Sequence, residues 1–463
     1  MSLRQLEFAP TPSRPRSVNA VQLHALPYRR DSQHWFACVR PLGQAVWLDS
    51  AYPHSPRGRF DIISAAPLQL ITPADAHHDT FATINQALQS SFREAIDAPA
   101  NTELPFRGGA IGLLGYELGR QLEGLGDHRV PDPPFPCALI GIYSWAIISD
   151  HQRHQTWLLI RPETSAELQR ELLDLLSREP APPQEFEVVQ PWRENLTSDD
   201  YAKVFARLQQ YIRAGDCYQV NLARRFQTRY CGDPLSAYLT LRNTAAAPFS
   251  AFLDFDDGAV LCLSPERFLA ANGRELFTQP IKGTIARSDD ATIDQAHARA
   301  LLSSEKNRAE NLMIVDLLRN DLGRSCEPGS IHVEQLFELQ SFATVHHLVS
   351  SIRGTLRNEL HALDALKNAF PGGSVTGAPK HRAMQIIDEL EPNTRSIFCG
   401  AIGYVSVCGR MDTNITIRTL LAQHGDIYAW AGGGIVADSN CAEEFEETRS
   451  KIEPLLRALI KAP

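Results

Sequence analysis

The chain has 463 residues, 43% of them apolar and 21% charged, and a formal net charge of −9. That length allows two average domains or one large layered fold, and the composition is that of an ordinary globular protein. The acidic balance argues against a binder of nucleic acid or anionic membranes; a small anionic substrate would need cations or a metal placed locally.

The opening residues 1–16 carry Arg and Pro but no apolar core, so they are not expected to be a signal peptide. Residues 44–48, 60–64 and 138–148 are predicted strands, with a glycine-rich turn at 107–115. The longest apolar run, 137–148, is too short to span a bilayer. The Pro- and Glu-rich passage 178–195 is the linker candidate, dividing an N-terminal region, 1–180, from a catalytic region, 195–460. After it, Ser198–Ala214 is an amphipathic helix with Tyr201, Val204, Phe205, Leu208 and Ile212 on one face. Strands are predicted at 260–263, 276–281, 401–407 and 428–430, and helices at 307–318, 381–390 and 441–460. This mixture favours α+β over a doubly wound parallel sheet. Nine cysteines, odd in number and never in a C-x-x-C pair, suit a reducing cytoplasm better than a disulfide framework or zinc knuckle.

The unusual local chemistry lies after residue 210. In the last helix, Glu444, Glu447 and Lys451 share a stripe beside the apolar Phe445, Ile452 and Leu456. Such a stripe is either a salt-bridged face or a seat for a hard divalent cation, since Mg2+ takes one or two carboxylates and keeps waters. Asn440 and Glu443 form a candidate capping box, which gives Glu443 a structural role. Glu310 is read at a helix start, where the dipole favours an acid. Lys282, in PIKGT at 280–284, is a surface lysine or a nucleophile. The second role needs burial or a nearby cation, because at a pKa of about 10.4 only ~0.04% is neutral at pH 7. Glu266, in SPER at 264–267, is either a buried general acid or the ion-pair partner of Arg267. The glycines at 432–434 and the TGAPK run at 376–380 are tight turns or anion seats. Arg418 is structural or the bidentate partner of a carboxylate.

Several runs appear in one order across residues 200–455: GDCYQVNL at 215–222, SPER, PIKGT, RAENLMIVDL at 308–317 and VHHLVS at 345–350. FPGGSVTGAPK at 370–380, ITIRT at 415–419, AGGGIVADS at 431–439 and the Glu447-Thr448 helix follow. Together they resemble the chorismate-utilising enzymes, which include anthranilate, aminodeoxychorismate, isochorismate and salicylate synthases. RFDI at 59–62 and FRGGA at 106–110 match more loosely. Isochorismate-type members carry a lysine base where this chain has Gln219, and anthranilate synthases resemble PIAGT where it has Lys282. A lysine in that motif is similar to the aminodeoxychorismate synthase branch.

The resemblance implies a large α+β sandwich of antiparallel sheets with outer helices, its N- and C-terminal halves interleaved. It also implies Mg2+ on Glu310 and Glu447, with Glu444 acting through water. Arg418, the amides of Gly432 and Gly434, Lys451, Thr376, Gly377 and Gln219 are the implied substrate contacts. Lys282 would attack C2 of chorismate while Glu266 protonates the departing C4 hydroxyl, and ammonia would then enter at C4. His347 matches an active-site histidine near the ring, and Asn307 stands where the family often has an acid. No Gly-x-Cys-x-Gly elbow is visible, so ammonia is expected from a separate glutamine amidotransferase subunit. A tryptophan pocket is implied near Asp49 and Ser50. The rival readings are an anthranilate synthase component, which would release pyruvate, and a catalytically silent chorismate- or tryptophan-binding regulator.

Overall fold

The apolar runs form strands whose successive residues enter different cores. The computed structural model describes residues 21–55, 58–73, 79–92, 103–126, 129–341 and 345–460, so the expectation for 1–16 lies outside the described residues. Val46, Ile62, Leu253 and Val260 join one apolar cluster, while their chain neighbours Trp47, Ile63, Phe252 and Leu261 join a second. This is the two-residue alternation of a strand covered on both faces. The first cluster also collects Ile111, Leu113, Ile402 and Met411 from a different sheet, so it fills the space between two sheets. The second is closed by helical residues Phe36, Leu172, Tyr238, Ile452 and Leu456. Full burial of each such aliphatic or aromatic side chain contributes ~1.5–3 kcal/mol.

Among the described residues the larger sheet has 13 strands and the smaller 10. In the larger, Ala45–Asp49 from the N-terminal half pairs with Phe249–Phe255 from the C-terminal half. In the smaller, Gly109–Leu114 lies beside Ala401–Ser406. Both pairings are antiparallel, and together they make the chain an α+β sandwich with outer helices and interleaved halves. Within 178–195, the short strands Glu187–Val188 and Arg193–Glu194 add to the edge of the long strand Gln219–Cys231.

Four local readings change. The glycine-rich 107–115 contains the strand Gly109–Leu114 rather than a turn alone. Its glycines serve close strand approach: a Cβ on Gly112 would lie 2.0 Å from the Leu139 carbonyl oxygen. The run 138–148 is two strands, Ala138–Tyr143 in the smaller sheet and Trp145–Asp150 in the larger. The strand predicted at 276–281 ends at Thr278 and pairing resumes at Ile281, because Pro280 has no N–H for a ladder. The helix at 307–318 is the middle of Glu305–Gly323, whose N-cap Ser304 accepts from the Asn307 amide at 3.3 Å. Glu310 therefore lies in the second turn, not at the helix start. No helix among the described residues is long and apolar enough to cross a membrane.

Candidate active site

A cavity of about 680 Å³ opens where the larger sheet, the strand Ile281–Ala286 and two helices converge. Glu266 follows the end of Gly258–Ser264, Lys282 lies on Ile281–Ala286, and Arg418 immediately precedes Thr419–Gln423. Gly432 and Gly434 come from Asp426–Ile435, and His347 from Val345–Thr355. The helix Glu305–Gly323 supplies Glu310, and Cys441–Ala458 supplies Glu444, Glu447 and Lys451. All ten of these sequence-predicted residues line the one cavity. Its size suits a small ligand enclosed on most sides.

Glu266 is 6% exposed. It does not pair with Arg267, whose guanidinium makes two 2.9 Å bonds to Asp412 instead. Burial raises the Glu266 carboxyl above the usual range, and the Lys282 charge opposes that rise. Burial likewise lowers Lys282, with Glu266 opposing. Desolvation thus drives both groups toward their neutral forms, an amine and a carboxylic acid facing one cavity. That is the pairing a lysine nucleophile and a general acid require.

Arg418 has its guanidinium enclosed in the cavity wall with no carboxylate partner among the described residues, and burial lowers its pKa. Its backbone is held at φ 50°, a region costing a non-glycine residue about 1 kcal/mol or more. An unneutralised, enclosed guanidinium invites an anion with planar oxygens. Beside it, His347 is pushed down to about 4 by burial and by the Arg418 charge, and Nδ1 lies 2.8 Å from Thr284 Oγ1. The imidazole is therefore neutral at pH 7.

Glu310, Glu444 and Glu447 face the cavity together with Lys306 and Lys451. Burial raises Glu444, and the neighbouring Glu447 charge raises it further. Burial also acts upward on Glu447, but Lys451, at 2.6 Å, and Lys306 outweigh it and hold the carboxyl below its usual range. The two carboxylates overlie the backbone of Gly433, where an added Cβ would lie 2.9 Å from Glu444 Oε2 and 3.9 Å from Glu447 Oε1. Among the described residues, no three His, Cys, Asp or Glu side chains are gathered into a metal cage. Hard oxygen donors on one wall, repelling each other, do fit Mg2+, which binds through one or two carboxylates and completes its shell with water and substrate.

Three sequence-predicted contacts do not line the cavity. Gln219 packs over Gly434, where a Cβ would lie 2.6 Å from Gln219 Nε2. Thr376 turns its hydroxyl back to the Gly372 carbonyl at 3.1 Å, and Gly377 pairs with Val220 in the sheet. Their places on the wall are taken by Asn221, two residues along the strand from Gln219, and by Ser374 and Val375. Sequence reading passed over Ser374 because a serine between glycines and valine carries no charge or spacing signal. Asp49 and Ser50 line a separate cavity of about 400 Å³, which shares Pro265 and Ile281 with the larger one. The Asp49 carboxylate accepts from Tyr238 at 2.7 Å and from Arg242 at 2.5 Å, and Ser50 Oγ donates to Asp61 at 2.7 Å.

The sequence pattern of the chorismate binding enzymes matches residues 43–457. Aminodeoxychorismate synthase component 1 of Escherichia coli (strain K12) is 46% identical over 445 residues, covering 94% of this chain and 97% of that protein. Anthranilate synthase component I from Streptococcus pneumoniae TIGR4 superposes with a TM-score of 0.75 at 32% identity, over 86% of this chain and 92% of that one. The menaquinone-specific isochorismate synthase of Escherichia coli has the same fold, with a TM-score of 0.72 at 18% identity over 95% of both chains.

Proposed function

The chain belongs to the chorismate binding enzyme family, and from that membership we propose that it aminates chorismate with ammonia to give 4-amino-4-deoxychorismate, the precursor of p-aminobenzoate. The observation that carries this reading is the enclosed Lys282–Glu266 pair beside an unneutralised Arg418. An acid and an amine, both shifted by burial toward their neutral forms, suit nucleophilic displacement of a hydroxyl. A silent binder has no use for them.

Arg418 grips a carboxylate of chorismate, with Lys451 and the Gly432 and Gly434 amides completing the anion seats. Lys282 forms a bond to ring C2 as the C4–O bond breaks, and Glu266 gives its proton to the departing oxygen, which leaves as water. The Glu266 carboxylate then accepts the proton shed by the lysine nitrogen. Ammonia adds at C4, the C2–N bond breaks, and Lys282 recovers its amine as the excess proton passes to the Glu266–Lys282 pair. The enolpyruvyl group is untouched. Neutral His347 borders the ring without adding a second cation. Glu310 and Glu447, with Glu444 through water, are the residues to hold Mg2+, which when bound would supply Lewis-acid stabilisation of the ring carboxylate. A relative named component 1 implies a partner subunit, and we assign that partner the supply of ammonia from glutamine. Tryptophan is the ligand we propose for the cavity beside Asp49 and Ser50; chromatography of an acid extract of the purified protein tests it.

The test of the reaction is product analysis after incubation with chorismate, Mg2+ and an ammonium salt. An aminodeoxychorismate mass without pyruvate is expected. Anthranilate with stoichiometric pyruvate would replace this reading with that of an anthranilate synthase, and no turnover would favour the silent binder.

A further inference from the structure

Ser374 touches both members of the reactive pair. Its hydroxyl donates to Glu266 Oε1 at 3.0 Å, and its backbone carbonyl accepts from Lys282 Nζ at 3.4 Å. The residue is only 4% exposed. We propose that Ser374 is the positioning residue that registers the general acid against the nucleophile, an inference that rests on the roles given above to Glu266 and Lys282.

The turn carrying Ser374 is fixed from three directions. Thr376 Oγ1 donates back to the Gly372 carbonyl at 3.1 Å. Arg395, itself held by Glu391 at 2.7 and 2.9 Å, donates to the Val375 carbonyl at 3.0 Å. Lys380, buried on Asp321 at 2.9 Å, donates to the Ala369 carbonyl at 2.8 Å. A turn braced by buried charged groups holds its donor and acceptor still, which catalytic positioning requires.

The two contacts do different work. The hydroxyl occupies Oε1 of Glu266 from the buried side, and the Ile281 amide donates to the same carboxyl. Two donors on separate segments thereby restrain the carboxyl. The carbonyl engages one N–H of Lys282 at 3.4 Å, so the amine's lone pair does not point at the turn. One residue thus restrains both the proton donor and the nucleophile.

The test compares wild-type protein with S374A, S374T and S374V, measuring chorismate consumption, KM and the rate at which chorismate becomes covalently attached to the protein. Loss of a hydrogen bond to a charged or acidic group is expected to lower kcat roughly 10- to 100-fold. Chorismate KM should stay within about 2-fold, because the Arg418 seat is untouched, and adduct formation should slow by the same factor as kcat. S374T retains the hydroxyl and should restore most of the rate, whereas S374V, of the same shape, should not. If S374A proves poorly folded, the Thr–Val pair decides alone: equal kcat values in those two would overturn the proposal. So would an S374A defect confined to KM. Wild-type protein that yields anthranilate would refute the proposed product, yet chorismate consumption would still read the role of Ser374.

Discussion

Replacing Arg418 with glutamine separates binding from folding. In the free protein this guanidinium is enclosed, has no carboxylate partner among the described residues, and belongs to a residue at φ 50°. Its charge therefore costs the fold stability, and R418Q should leave Tm unchanged or raise it by about 1–3 °C, the shift expected for ~1 kcal/mol in a large domain. With substrate bound, the same change removes two charge-assisted hydrogen bonds of ~1.5 kcal/mol each, and the glutamine amide recovers ~1 kcal/mol. The net loss of about 2 kcal/mol corresponds to roughly 30-fold weaker chorismate binding. Initial rates against chorismate at saturating ammonium, equilibrium binding without ammonium, and thermal melts of both proteins read the three quantities. The reasoning is refuted if affinity stays within about 2-fold of wild type, or if Tm falls by more than about 5 °C, which would make Arg418 part of the frame.

Other consequences follow from the same geometry. His347, lowered to about 4, favours the folded state only while neutral; its contribution is present above the unfolded value near 6.5 and is lost as pH falls through 4. Denaturant melts from pH 7 to pH 4 should show that acid loss reduced in H347Q by about 3 kcal/mol, and parallel curves would contradict it. Arg395→Met strands the buried Glu391 and frees the carbonyls of Val375 and Asn221, so unfolding free energy should fall by ~3–5 kcal/mol. A stability loss below ~1 kcal/mol would mean that the pair contributes little net energy. Chelation by EDTA should abolish amination and added Mg2+ restore it, with E447Q needing roughly 10-fold more metal for half-maximal rate. Full activity in EDTA would remove the metal from the account.

The site was legible where one element carries its own pattern. The three-and-four spacing of Glu444, Glu447 and Lys451 places them on one helical stripe, and the helix Cys441–Ala458 delivers all three to the cavity. Spacing could not choose between partners for Glu266, because the competing ion pair depended on Asp412, 145 residues from Arg267 in sequence. Nor could it see Ser374, which acts through a 3.0 Å contact across 108 residues. The fold behaved likewise. Apolar runs marked strands correctly because both sheet faces are covered, but a run gives no hint that Ser144 is where the chain passes from one sheet to the other. The glycines at 108, 109 and 112 suggested a turn; only the neighbouring strands show that Gly109 and Gly112 admit close backbone approach, while Gly108 makes room for the Arg161 side chain.

The most direct test of chemistry through Lys282 is mass spectrometry of the intact protein and its peptides after incubation with chorismate and Mg2+ but no ammonium. The mechanism requires an adduct of chorismate less one water on the peptide containing Lys282, discharged as aminated product when ammonium is added. Turnover with no adduct at any time, together with a K282A variant that aminates at the wild-type rate, would contradict it.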